Sequence, residues 1–275
     1  MHSSVDDYRP RYGRLLDDIQ KEVEEFLATG RMTRAFELTR QTGQHLNHNE
    51  WPLYFTGDLD ASFVLIHLNP KHADNKADRA TNPSERFSSW EEYFVFNRHF
   101  GARTYGPDGL RQPPISRFDQ KQIRFLRPFG VIDFVEQRTQ EDRWTNLERV
   151  VDHKLQMELV PYGSANFSTR AFPASVLDKD FDRLLSVLSA APRDYIVFCG
   201  QVFEPLLSQF VIDEHYFNLT KRDGTTERNR SRFSNVRIPY NGDTILAGLA
   251  HSWPRQGIPM ESYAEECRKR YSRAD

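Results

Sequence analysis

The sequence predicts an α/β fold: a central, mainly parallel sheet of four to five strands with helices on both faces. Two observations carry this. Short apolar runs closed by polar or turn-forming residues recur at 63–66, 155–160, 195–199 and 244–250, and unbroken apolarity marks a strand covered on both faces. Between them lie segments with apolar residues three and four apart, the helical period.

Composition sets the outer bounds. A chain of 275 residues with 38% hydrophobic and 28% charged residues is long enough to bury a proper core and too apolar for general disorder. No apolar run approaches the ~20 residues that cross a bilayer, and the start MHSSVDDYRP has no apolar signal core. A cytoplasmic protein without membrane association is expected. The two cysteines, Cys199 and Cys267, make neither a disulfide framework nor an iron–sulfur ligand set. A net charge of −2 gives no global field for nucleic acid, so any such contact has to come from local patches.

In chain order, Leu15, Leu16, Ile19, Val23, Phe26 and Leu27 define an amphipathic helix over 14–28, stopped near Gly30. A second helix spans 33–42, and 51–60 is a turn-rich approach to the first strand. Residues 1–50 therefore read as a helical extension packed on a core domain of 51–275. The first strand runs from Phe63 to Ile66 and turns polar at His67, Asn69 and Pro70. In open α/β sheets ligands bind at the carboxyl ends of the strands, which makes this stretch a candidate site. A polar segment, 71–86, precedes an aromatic helix with Trp90, Tyr93, Phe94 and Phe96. These rings either line a stacking pocket or fill the core. Residues 101–117 read as loop and 119–127 as a short helix.

The second half repeats the strand-then-loop theme. The run 155–160 ends in Pro161-Tyr162-Gly163-Ser164; a helix covers 178–190; Tyr195–Cys199 is closed by Gly200; and a helix covers 202–210. Residues 221–232, KRDGTTERNRSR, carry five bases against two acids. Lys221, Arg222, Arg228 and Arg230 are therefore the candidate phosphate-contacting residues. Strands at 232–239 and 244–250 are joined by the turn signal Asn241-Gly242. The second ends in His251-Ser252-Trp253-Pro254, and a helix over 259–270 closes the chain. If the strands are parallel, Asn69, 161–164 and His251 converge at one edge.

In these residues the chain resembles the uracil-DNA glycosylase superfamily, whose members carry a first motif with Asp-Pro or Asn-Pro after the first core strand and a second motif of HPSP type near the C-terminus. The counterparts are His67-Leu68-Asn69-Pro70 and His251-Ser252-Trp253-Pro254, in matching order over about residues 51–254. Two positions depart: His67 replaces the usual glycine, and Trp253 intrudes in the second motif. The resemblance implies a three-layer fold and a DNA glycosylase, a monofunctional hydrolase that flips out a base and leaves an abasic site without metal or cofactor. DNA is the implied partner, and no obligatory protein partner is inferred. Asn69 would hold the attacking water and His251 would hydrogen-bond the leaving base or clamp a phosphate. His67, Leu68, Pro70, Trp90, Tyr93, Tyr162, Ser164 and Asn166 would line the pocket. Ser252 would bind phosphate, with Trp253 or Arg255 filling the gap left by the extruded base. Some bacterial members act on modified phage DNA, so a bulky modified pyrimidine such as glucosylated hydroxymethylcytosine is the expected substrate, in antiviral defence. Uracil or mismatch repair, and an inactive DNA- or nucleotide-binding module, are the alternatives. A triad of Ser164, His251 and Asp133 or Asp243 lacks the G-x-S-x-G elbow. A metal site of His67, His72 and His251 matches no ligand spacing.

Overall fold

The computed structural model describes residues 4–68, 70, 88–99, 117–165, 167, 172, 174–254 and 257–272. Its centre is a seven-stranded mixed sheet. The strands are β1 (Phe55–Gly57), β2 (Phe63–His67), β3 (Lys154–Glu158), β4 (Tyr195–Cys199), β5 (Val211–Phe217), β6 (Ser231–Tyr240) and β7 (Asp243–Ala250), in the order β1-β3-β2-β4-β7-β6-β5. Only the middle is parallel: β3 pairs with β2, β2 with β4, and β4 with β7 in parallel, while β1, β6 and β5 add antiparallel edges. The expected sheet of four to five mainly parallel strands is thus the core of a larger mixed one. The additional edges were hard to read for physical reasons. β1 is three residues long, and β5, VIDEHYF, has most of its side chains partly or fully exposed, so neither shows the apolar signature of a covered strand.

Helices cover both faces. The helices are α1 (Val5–Thr29), α2 (Thr33–Thr42), α3 (Trp90–Arg98), α4 (Arg117–Leu126), α5 (Gln140–His153), α6 (Ala174–Ser189), α7 (Glu204–Leu207) and α8 (Met260–Arg270). Because side chains alternate along a strand, Val64 and Ile66 of β2 pack with α1, α2, α3, α6 and α7, whereas Phe63 and Leu65 pack with α4, α5 and α8. The first group of helices defines the α1 face and the second the α4 face.

Local chemistry explains the element ends. Helix α1 begins earlier than its apolar stripe suggests because Ser4 and Asp7 form a capping box; Pro10 and the non-helical Tyr12 bend it, and Gly30 closes it in the left-handed region. Its buried Leu16, Ile19 and Val23 belong to the same cluster as the sheet residues of the α1 face. Helix α5 has no counterpart among the elements expected from the sequence. Its buried apolar residues are only Trp144, Leu147, Val150 and Val151, and its clearest local mark is the Thr139–Asp142 capping box. Asn241 and Gly242 both take positive φ in the β6–β7 turn, as a primed hairpin turn requires. Gly57 holds β1 against β3: φ is +93° and a Cβ there would lie 2.0 Å from the Lys154 carbonyl oxygen.

Candidate functional site

The parallel strands bring His67 (β2) and Glu158 (β3) to one edge of the sheet, together with His251 just beyond β7. Backbone hydrogen bonds hold the segment after β3 alongside the first motif: Leu159 N–H donates to His67 O (2.9 Å), Val160 N–H to Leu68 O (2.7 Å) and Ser164 N–H to Pro70 O (3.2 Å). Residues 161–164 therefore lie beside the first motif. Asn69, Asn166 and Arg255 lie outside the described residues.

On the α4 face, the His67 ring stacks on Trp253 with centroids 6.2 Å apart and planes 10° from parallel. Phe118 of α4 meets its edge at 5.4 Å. The first and second motifs are thus in ring contact. Burial, with the Lys154 charge adding to it, holds His67 down to about 3, so the ring is neutral. Among the described residues its buried Nε2 has no hydrogen-bond partner.

Beside His67 lies a row of buried polar side chains from alternate positions of β3: Lys154, Gln156 and Glu158. Parallel pairing sets Glu158 opposite His67, on the same face. Lys154 Nζ donates to Gln122 Oε1 and to Gln156 Oε1 (3.2 Å), Gln122 Nε2 donates to Gln156 Oε1 (2.6 Å), and Gln156 Nε2 donates to Glu158 Oε1 (2.7 Å). Burial pushes the Glu158 carboxyl up to about 8 against the opposing effects of Gln156 and Lys154. Lys154 is pulled down to about 8, again chiefly by burial. Among the described residues Glu158 Oε2 has no hydrogen-bond partner.

His251 turns to the α1 face. Its Nδ1 lies 2.6 Å from Glu204 Oε1 and its Nε2 2.8 Å from Ser234 Oγ. Arg232 ties Glu204 to Glu214, donating at 3.0 Å to the first and 2.6 Å to the second. With the carboxylate accepting from Nδ1–H, Nε2 accepts from the serine hydroxyl, and burial lowers the histidine pKa. The hydrogen bond from His251 to a leaving base that the resemblance implies is not available in this arrangement, because both ring nitrogens already have protein partners. The Glu204–His251–Ser234 chain has the distances of a hydrolytic triad, yet Ser234 is 0% exposed within a paired strand. Ser164 and His251 do not form the alternative triad, since Ser234 holds the position at Nε2.

The remaining expected residues divide. Trp90 and Tyr93 are buried in the α1-face cluster, and Tyr93 Oη donates to Pro52 O (2.6 Å); they are core residues, not companions of His67 and Trp253. Tyr162 follows the first motif in space, but its hydroxyl runs to Glu22 of α1 (2.8 Å). Ser252 is exposed next to Trp253. The basic loop has Arg222, Arg228 and Arg230 exposed and Lys221 partly so. Arg222 N–H donates to Gly257 O (3.0 Å), which sets this loop against the segment that follows Trp253.

Sequence reasoning missed Glu158, Lys154, Gln156 and Gln122, and also Glu204 and Ser234. One signal was present. Gln156 and Glu158, inside the run 155–160 read as apolar, and Lys154 just before it stand at period two, a pattern that sets three polar groups on one face. Among the described residues no group of three or more His, Cys, Asp or Glu is arranged to hold a metal ion, and no helix is long and apolar enough to cross a membrane. No protein-family model, curated protein or solved structure matches the chain.

Proposed function

We propose that this chain is a DNA glycosylase that hydrolyses the N-glycosidic bond of a flipped-out modified pyrimidine and leaves an abasic site. One observation carries the reading: the two motifs that suggested it, distant in sequence, meet at the carboxyl edge of the parallel strands through the stacked rings of His67 and Trp253. Breaking such a bond builds positive charge on the sugar and negative charge on the base, so a site needs an oriented water and a donor toward the base. Asn69, between Leu68 and Pro70, is the proposed water-holding residue. Being non-basic, it orients the water and leaves the proton to another group. Trp253 supplies a flat apolar surface against an unstacked base or the gap it leaves. The basic loop at 221–230, joined to Gly257, supplies local phosphate contacts on a chain of net charge −2. Repair of uracil or of mismatches uses the same architecture, and the substrate panel below separates it from removal of bulky modified bases.

The test is a base-release assay on duplexes containing uracil, hypoxanthine, hydroxymethylcytosine or glucosylated hydroxymethylcytosine, with wild type and Asn69→Ala. Alkali-labile sites from wild type and not from the variant are expected, and the responsive duplex names the base. Salt-sensitive DNA binding with no abasic sites on any duplex would replace the reading with a binding module.

A further inference from the structure

We propose that Glu158 is the proton donor of this site, passing the proton on Oε2 to the base as it departs; the proposal rests on the glycosylase reading above. The geometry begins at Lys154, whose ammonium only donates. Its bonds fix the oxygens of Gln122 and Gln156 toward itself. The Gln156 amide must then present its nitrogen to Glu158, and Glu158 Oε1 must accept. Any proton on this carboxyl therefore sits on Oε2, the oxygen without a partner. On the adjacent strand and the same face, His67 Nε2 is another of the twelve buried side-chain polar atoms without a partner among the described residues. Buried polar groups in folded proteins are mostly paired, and these two exceptions fall on strand-paired residues at the carboxyl ends of parallel strands, where ligands bind in open α/β sheets.

The surroundings favour the protonated form. Glu158 is 4% exposed, and an ionised carboxylate there would be costly. The groups facing it are His67 from β2, held neutral by burial; Lys154 on its own strand; and Cys199 from β4, whose thiol burial pushes well up. Asp119 of α4 acts on Lys154.

In the step, the C1′–N bond breaks with its electron pair going to the base, and the Oε2 proton passes to the base. Water adds its oxygen to C1′, and its released proton restores the Glu158 carboxyl. The sum is hydrolysis of base from sugar. A built-in acid matters most for a base that leaves poorly as an anion. A pyrimidine bearing an exocyclic amino group holds negative charge less well than one with two carbonyls, so the substrate class is cytosine-type.

Glu158→Gln keeps the acceptor toward Gln156 and replaces the transferable proton with an amide donor. Single-turnover base release on cytosine-type and uracil duplexes, at pH 6 to pH 9.5, is measured together with thermal unfolding from pH 4.5 to pH 8. The wild-type rate on the cytosine-type base is expected to fall about tenfold per pH unit above about 8. The variant is expected to be roughly 10²–10³-fold slower on that base without this limb, and less impaired on uracil. In unfolding, the wild type is expected to lose stability relative to the variant as pH rises from about 4.5 to about 8, because the folded chain keeps a proton that the unfolded chain releases. Parallel unfolding curves, or a variant that keeps the wild-type rate and pH limb, would overturn the proposal and leave the glycosylase reading intact. A wild type inactive on every duplex would overturn that reading and the donor role with it.

Discussion

Two histidines taken from the two motifs end at the same sheet edge in opposite conditions. His251, on the α1 face, has both ring nitrogens bonded, to Glu204 and to Ser234, inside a network that Arg232 extends to Glu214. His67, on the α4 face, keeps Nε2 without a partner beside a carboxyl oxygen in the same state. The first histidine has its hydrogen-bonding capacity consumed by the fold, and the second has it in reserve. An unmade buried hydrogen bond costs more than a made one contributes, so groups that carry this cost are the better guide to where a ligand binds. By that measure His67 and Glu158 are the candidate ligand edge, with Trp253 stacked beside it, and His251 braces the end of β7.

His251→Ala should show the largest effect on stability. Glu204 and the buried Ser234 are each deprived of a partner, and a decrease of about 3 kcal/mol in urea denaturation is expected. A decrease under about 0.5 kcal/mol would erase the difference between the two histidines. Trp253→Ala removes the stack on His67 and the packing against Phe125, centroids 5.2 Å apart; it should cost about 2 kcal/mol and reduce base release. His67→Phe should move the other way, gaining about 1 kcal/mol because an unpartnered nitrogen leaves the interior, while base release falls. The same variant separates the two rings by pH. Folded His67 stays neutral down to about 3 while the unfolded ring takes up a proton near its ordinary value, so the fold loses stability as pH falls through that window. Phenylalanine should remove that part of the acid sensitivity in pH-dependent melts. The smallest stability effect belongs to the basic loop. Replacing Lys221, Arg222, Arg228 and Arg230 with Gln should change stability by under about 0.5 kcal/mol per site. It should also flatten the salt dependence of DNA affinity by up to ~0.9 for each phosphate that is no longer neutralised. An unchanged salt slope would place the DNA elsewhere.

The parallel core and the edge where its strands end were legible because a strand covered on both faces is apolar without a break, as in 63–66 and Tyr195–Cys199. The Asn241-Gly242 turn was legible because few residues adopt its positive φ. The edge strand β5 and the helix α5 were not, because exposed or sparsely apolar segments carry little period. In the site the division is sharper. Local sequence was enough to show that His67 and His251 close two strands and that the chain is rich enough in apolar runs to align them. Which ring keeps an unpartnered nitrogen, that Trp90 and Tyr93 belong to the core, and that Lys154, Gln156 and Glu158 form a buried polar row were all settled by tertiary packing. Those outcomes depend on register and facing. Period-two alternation places a side chain on one of two faces, but what it meets there is supplied by α4 on one side and α7 on the other, far away in sequence.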